Sequence, residues 1–362
     1  MNSSPRIVIF APHFSEYATR MAIGLSRRAA VALLVDKHNF ADECSDQLRS
    51  EAAKSVDIQM FDVWTRSQRY RSRLRILFKI LSFRPTYIHV HEQPDSFTTS
   101  VIWLLRRQRM ILTVHDPLPH TGNDSVYAAA NAEGTRFLRA RASMFHTHGE
   151  YCKQTLLSEQ LNRPVISTAH GAVLVPSPAQ ELPFEKGRIL LFGRMQEYKG
   201  IEILLQAAEI LRAKSTFFRI VLAGRGPELE RLRPQIEGRD DIEVISKYLA
   251  PAEAVQQLQR SQLVVAPYLD ATQSGVVSAA FANGRPVVAS RVGGLIDSVI
   301  DGENGVLVEE KNPLSLASAL QRVLEDETFY RRLMRGANRT VAREMDWSNI
   351  SDALLRGYAK LP

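Results

Sequence analysis

The sequence predicts an α/β protein built from two doubly wound parallel sheets, and three observations carry that expectation. Short β-branched runs alternate with longer segments whose apolar residues recur at i, i+3 and i+4, the pattern of buried strands covered by helices. The alternation starts twice, on either side of Val175-Pro-Ser-Pro-Ala-Gln-Glu-Leu-Pro183, whose prolines can neither continue a helix nor sit in a central strand. The 362 residues also exceed what one hydrophobic core usually organises, so two domains are expected.

In chain order, the first series of strands is expected at Ile7–Ala11, Val31–Val35, Ile58–Val63, Tyr87–His91, Met110–His115, Met144–His148 and Val165–His170. The second is expected at Ile189–Phe192, Ile220–Ala223, Glu243–Ile245, Leu263–Ala266, Val287–Ser290 and Val306–Val308. This divides the chain into a first domain over 1–175, a linker over 176–183 and a second domain over 184–343. A last helix, about 344–362, is expected to pack back onto the first domain. Open sheets of this kind bind ligands beyond the C-terminal ends of their strands, so the two domains are expected to face one another across a cleft.

Composition narrows the class. At 45% hydrophobic and 23% charged residues, with no low-complexity tract, the chain reads as globular. No apolar run reaches membrane-spanning length, and the run after the N-terminus is too short for a secretory leader. Cys44 and Cys152 have no metal-ligand spacing and no disulfide framework, so a reducing, cytoplasmic setting is expected. Charge is unevenly placed: residues 1–175 hold 22 Lys+Arg against 15 Asp+Glu, whereas 176–362 hold 24 of each. The first half is therefore expected to meet something anionic. Aromatic interleaving and any recognised nucleic-acid module are missing, so no nucleic-acid partner is expected.

Three features of the second half meet at strand ends. Gly193-Arg-Met-Gln-Glu-Tyr-Lys199-Gly200 follows the strand 189–192, and Gly193 allows a sharp turn that sets Arg194 and Lys199 on one loop. A guanidinium fork with an ammonium suits a diphosphate; two solvated surface cations are the other reading. Gly224-Arg-Gly226 lacks the third glycine of a dinucleotide fingerprint, which argues against a nicotinamide or flavin dehydrogenase. Thr272, Gln273, Ser274 and Gly275 precede a helix expected from about Val276 to Asn283, with no carboxylate in its first turn. Unpaired backbone N–H groups and the helix dipole make such an end fit for an anion, although a plain Ser N-cap has the same sequence.

"ILLFGRMQEYKGIEILLQAA", "IVLAGRGPELERL" and "LVVAPYLDATQSGVVSAAFANGRPVVASRVGGLIDSVIDGENGVLV" resemble the C-terminal domain of the retaining glycosyltransferases of family 4. The resemblance runs over residues 187–320 and continues more loosely through "TYIHVHEQPD" and "ILTVHDPLPH". It implies the GT-B fold, a nucleotide-diphosphate sugar held by the second domain, a glycan or polyprenyl-linked acceptor held by the first, and no obligatory metal or other cofactor. It also implies that Arg194 and Lys199 grip the diphosphate and that His115 is an active-site histidine. Two family carboxylates, seven residues apart, fall on Ala271 and Ala279, so the loop resembles a variant branch with Gln-Ser-Gly-Val in place of Glu-Gly-Phe-Gly. Donor contacts are then expected from Gly193, Asp270, Thr272, Gln273, Ser274, Gly275, Val276 and Asp297, the last at the place of a family Glu after Gly293-Gly294.

On the acceptor side, His13, Glu92, Asp116 and His120 stand at or just beyond strand ends in a histidine-rich half. Zinc is the alternative for these histidines, but the ligand spacing is missing, so no metal is expected. A nucleotide-sugar epimerase and an inactive nucleotide-sugar binder remain the competing readings, both prompted by Ala271 and Ala279. Residues 64–84, "WTRSQRYRSRLRILFKILSFR", hold seven cations and no acid. Tyr70, Leu74, Leu77, Phe78 and Leu81 form a helical stripe between Arg71 and Arg75 on one flank and Arg69 and Arg73 on the other. Such a helix either covers the sheet or lies on an anionic membrane, and peripheral docking on the inner face of the cytoplasmic membrane is the expectation.

Overall fold

The computed structural model describes residues 4–105, 108–119, 123–177 and 182–361. Among these, thirteen strands form two all-parallel sheets. The first contains β1 (Arg6–Ala11), β2 (Ala30–Asp36), β3 (Asp57–Phe61), β4 (Tyr87–His91), β5 (Met110–Thr113), β6 (Met144–His148) and β7 (Val165–Thr168), ordered β3-β2-β1-β4-β5-β6-β7. The second contains β8 (Arg188–Phe192), β9 (Arg219–Ala223), β10 (Ile242–Ile245), β11 (Leu263–Ala266), β12 (Val287–Ser290) and β13 (Gly305–Val308), ordered β10-β9-β8-β11-β12-β13. The doubly wound α/β class expected from the alternation is the class observed. Each order reverses once, between β1 and β4 and between β8 and β11. At such points the loops leaving neighbouring strands diverge, and ligands are commonly held there.

Three strands are shorter than their apolar runs, β3 ending at Phe61 rather than Val63, where its partner β2 also ends. β5 stops at Thr113 and β7 at Thr168, each two residues before a histidine that the expected strand included. The ladder ends because the partner ends: Thr113 pairs with His91, the last residue of β4, and Thr168 with His148, the last of β6.

The chain divides into two compact units, one of Met1–Leu118, Val126–Gly171 and Asp346–Pro362, the other of Pro119–Ser125 and Ala172–Met345. Residues 178–181 of the expected linker lie outside the described residues. In the first unit, one sheet face carries Val8, Phe10, Leu34, Val90 and Leu112 beneath the helices Arg66–Phe83, Ser96–Leu104 and Ala132–Arg141. Side chains alternate along a strand, so His89, His91, His146 and His148 belong to the opposite face. There they meet Tyr17 of the helix Ser15–Ser26 and Tyr358 of the C-terminal helix Trp347–Tyr358. In the second unit the helix Ile201–Ala213 buries Ile201, Leu204, Leu205, Ala208 and Leu211 against β8 and β9. Among the described residues no helix is long and apolar enough to cross a membrane.

Candidate functional site

In the second unit the loops after β8 and β11 flank the reversal point. The β8 loop opens on Gly193 at φ 114° and ends in the turn Glu197–Lys199, closed by Gly200 at φ 65°. A Cβ on Gly200 would overlap the Pro267 carbonyl oxygen, so only glycine lets this loop pass over the end of β11. The crossing is pinned by the Leu269 N–H, which donates to the Tyr198 carbonyl at 2.7 Å. Lys199 is thereby buried, with Nζ donating to the Tyr268 hydroxyl at 2.7 Å and lying 4.0 Å from the centre of its ring. Burial pushes the Tyr268 phenol up, so it stays protonated, and it also hydrogen-bonds Ser274. Lys199 Nζ and Val276 Cγ2 stand 3.7 and 3.6 Å from where a Cβ of Gly193 would be. Gly193, Lys199, Ser274 and Val276 therefore converge.

The helix Gly275–Ala282 begins at this point. Ser274 caps it, its Oγ accepting from the Val277 N–H at 3.4 Å, and the first turn holds no acid. Helix geometry leaves the first N–H groups without carbonyl partners inside the helix. Gln273 Oε1 is buried with no hydrogen-bond partner among the described residues. Thr272 is buried, Asp270 half-buried, and Arg194 and Asp297 exposed. The Gly294 N–H donates to the Ala271 carbonyl at 3.1 Å and draws the Gly293-Gly294 turn, with Asp297 behind it, against the 270–275 loop. Gly224-Arg-Gly226 is a brace: the Met195 N–H donates to the Arg225 carbonyl at 3.0 Å, and the Glu228 N–H to the Met195 carbonyl at 3.2 Å.

Ala271 and Ala279 are both buried. A carboxylate at 279 would have to leave water inside the packed face of this helix. Ala279→Glu is accordingly expected to cost about 2–4 kcal/mol of stability, read as a shift in denaturation midpoint.

In the first unit, His13 follows β1 and is exposed, and Asp116 follows β5 and is half-buried; His120, beyond that unit, lies outside the described residues. Glu92 is committed elsewhere. Its two carboxylate oxygens accept from Arg139 Nε and Nη2 at 2.9 and 3.0 Å, and Arg139 also reaches Glu159 and the Pro117 carbonyl. This pair braces the loop carrying Asp116 and leaves Glu92 half-buried, with both carboxylate oxygens already accepting from Arg139.

His115 is buried, and both its ring nitrogens are taken: Nε2 faces His91 Nδ1 at 3.0 Å and Nδ1 faces His148 Nε2 at 3.2 Å. Beside this row runs a second, from Tyr358 through His89, Thr113, His146 and Thr168. Its donors can be assigned. Thr168 Oγ1 donates to the Ala169 carbonyl at 3.0 Å, so it accepts from His146 Nε2–H. Neutral His146 then accepts at Nδ1 from Thr113, Thr113 accepts from His89 Nε2–H, and His89 Nδ1 accepts from Tyr358. Burial, as the first cause, pulls all these histidines down: His91 and His146 to about 3, His170 to about 4, and His89, His115 and His148 well below the usual value. Among the described residues no cluster has the makings of a metal site.

Sequence reasoning missed Tyr268, Phe14 and the histidine partners. Phe14 sits at φ 58° with its ring 4.2 Å from that of His115, and nothing in its local sequence marks it. Of the four arginines, Arg69, Arg71 and Arg75 are exposed on the helix Arg66–Phe83. Arg73 departs from the expected flank: its Nε donates to Ser100 Oγ at 2.8 Å and its guanidinium lies over Phe97.

Residues 186–326, which hold every second-unit position above, match the family model described as Glycosyl transferases group 1. Over its whole length the chain superposes on a sucrose-phosphate synthase from Thermosynechococcus elongatus (TM-score 0.73, 19% identity, 99% of each chain). The fold is GT-B. Anabaena HepE, solved in complex with UDP and glucose, shares this GT-B frame at TM-score 0.68 and 16% identity, over 99% of this chain and 100% of that one. A D-inositol 3-phosphate glycosyltransferase of Xylanimonas cellulosilytica is 34% identical over 185 residues, 49% of this chain and 43% of that protein. The chain thus matches less than half the length of such curated relatives.

Proposed function

We propose that this GT-B protein is a retaining glycosyltransferase that moves a sugar from a nucleotide-diphosphate sugar to a glycan or lipid-linked acceptor, in polysaccharide or glycolipid assembly. The observation that carries the reading is the convergence of Lys199 Nζ, Gly193 and the start of the helix Gly275–Ala282 at the reversal point of the second sheet. A buried ammonium facing an acid-free helix N-terminus suits a diphosphate. The HepE complex with UDP and the naming of the Xylanimonas relative support the same class.

As the sugar–phosphate bond breaks, negative charge gathers on the departing diphosphate. Lys199, Arg194 and the N–H groups of Gly275 and Val276 would stabilise it without reorganising. With no carboxylate at 271 or 279, ribose and sugar hydroxyls fall to Asp270, Thr272, Gln273 and Asp297. The unpartnered acceptor on Gln273 suits a hydroxyl donor. Because no carboxylate nucleophile is evident, the acceptor oxygen attacks the face the phosphate leaves, and its proton passes to the departing phosphate oxygen. His13 and Asp116 are the acceptor contacts in this reading. His115, held on both sides, lends a fixed neutral ring, and no metal takes part.

Incubation with a panel of nucleotide sugars and acceptors tests this. Nucleoside diphosphate should be released only with acceptor present, and the product should keep the donor's anomeric configuration by NMR. Inversion overturns retention, an epimerised donor makes the protein an epimerase, and binding without turnover makes it an inactive relative.

A further inference from the structure

The outward face of the helix Arg66–Phe83 takes no part in either site. This helix docks on its sheet through Ser72, Ile76 and Ile80. Its other face is apolar and open: Tyr70 is 62% exposed, Leu74 51%, Phe78 75% and Leu81 63%. Just before it, Trp64 is 73% exposed, and Trp103, at the end of the neighbouring helix Ser96–Leu104, is 56% exposed. Arg71 and Arg75 border the stripe, both exposed, and Arg66 and Arg84 stand exposed at its two ends. Residues 64–84 contain no acid, and the one lysine, Lys79, is paired with Asp57 away from the stripe.

We infer that this face is a docking surface for an anionic lipid bilayer. Burying the stripe in the core is excluded, because Ile76 and Ile80 already fill that role. Exposed aromatics beside arginines match the interfacial zone of a bilayer, where rings sit at headgroup level and guanidiniums meet lipid phosphates. The cationic border favours anionic lipid over a neutral protein groove, and each basic residue at such a surface adds to binding. The inference rests on the glycosyltransferase reading only in giving the acceptor a lipid anchor.

The test is flotation of the full chain with vesicles of phosphatidylglycerol and phosphatidylcholine against phosphatidylcholine alone. Wild type should float with the anionic vesicles and detach as salt rises. Arg71→Glu/Arg75→Glu should weaken partitioning about thirtyfold or more. Leu74→Ser/Phe78→Ser should abolish flotation even at low salt, with the melting temperature kept because both residues are exposed. Equal flotation of wild type and both variants overturns the inference, as does no flotation of wild type. If Leu74→Ser/Phe78→Ser instead turns a dimer into a monomer in sedimentation, with no vesicle binding, the face joins two copies and the inference fails. Nucleotide-sugar turnover is followed in parallel: its absence with flotation intact counts against the enzyme reading alone.

Discussion

Lys199→Met is expected to lower turnover of the nucleotide sugar by about two to four orders of magnitude while the fold survives. The charge on the departing diphosphate grows in the transition state, so a fixed ammonium there lowers the barrier more than it tightens ground-state binding. Methionine keeps an unbranched stem of similar length beside Gly193 and removes the charge and the donor to Tyr268. The loss should therefore appear mainly in kcat. Tyr268→Phe separates positioning from charge: the ammonium stays over the ring but loses its 2.7 Å tether, and a fall of about tenfold is expected. The measurement is the initial rate of nucleoside diphosphate release, with melting temperature as the folding control. A folded Arg194→Ala/Lys199→Met double variant that transfers sugar at near-normal rate would end the assignment of this loop.

Acidification should destabilise the first unit steeply. His91, His146 and His170 are held at about 3, 3 and 4 by burial, whereas in an unfolded chain they titrate near 6.5. Between those values the unfolded chain binds protons that the folded chain refuses, so unfolding gains as pH falls through about 6.5. Each such histidine contributes about 1.4 kcal/mol per pH unit in that window, and these three together about 4. Above neutrality the contribution is flat. The wiring gives the reason: protonated His89 or His146 would point a second donor at Tyr358 or Thr113, where an acceptor is required. Urea midpoints between pH 5 and 8 should show the slope, and His146→Gln should reduce it by about a sixth, because His89, His115 and His148 are held low as well. A flat profile in wild type would refute the neutral assignment of both rows.

Much of this protein was legible in one dimension. Strands buried on both faces are apolar throughout, so runs such as Leu263–Ala266 stand out whatever surrounds them. Gly193, Lys199 and the 270–276 loop could be placed because a strand end and a helix start are local events, marked by glycine, by a cap and by a change of period. Other features needed the third dimension. Tyr268 meets Lys199 across 69 residues of sequence, through a loop crossing that depends on one missing Cβ. The histidines appeared as i, i+2 pairs on separate strands, and only the parallel register joined them into two rows. Glu92 stands just beyond a strand end, and its pairing with Arg139, 47 positions away, is not legible in the sequence. The helix Arg66–Phe83 makes the point most directly. Its period shows an apolar stripe at Tyr70, Leu74, Leu77, Phe78 and Leu81, of which Leu77 turns half-buried onto the core, and another pair at Ile76 and Ile80. Periodicity states that apolar residues share a face but not which face is covered, because that depends on which one fits the sheet. Packing chose the isoleucines and left the aromatic, arginine-bordered side to solvent.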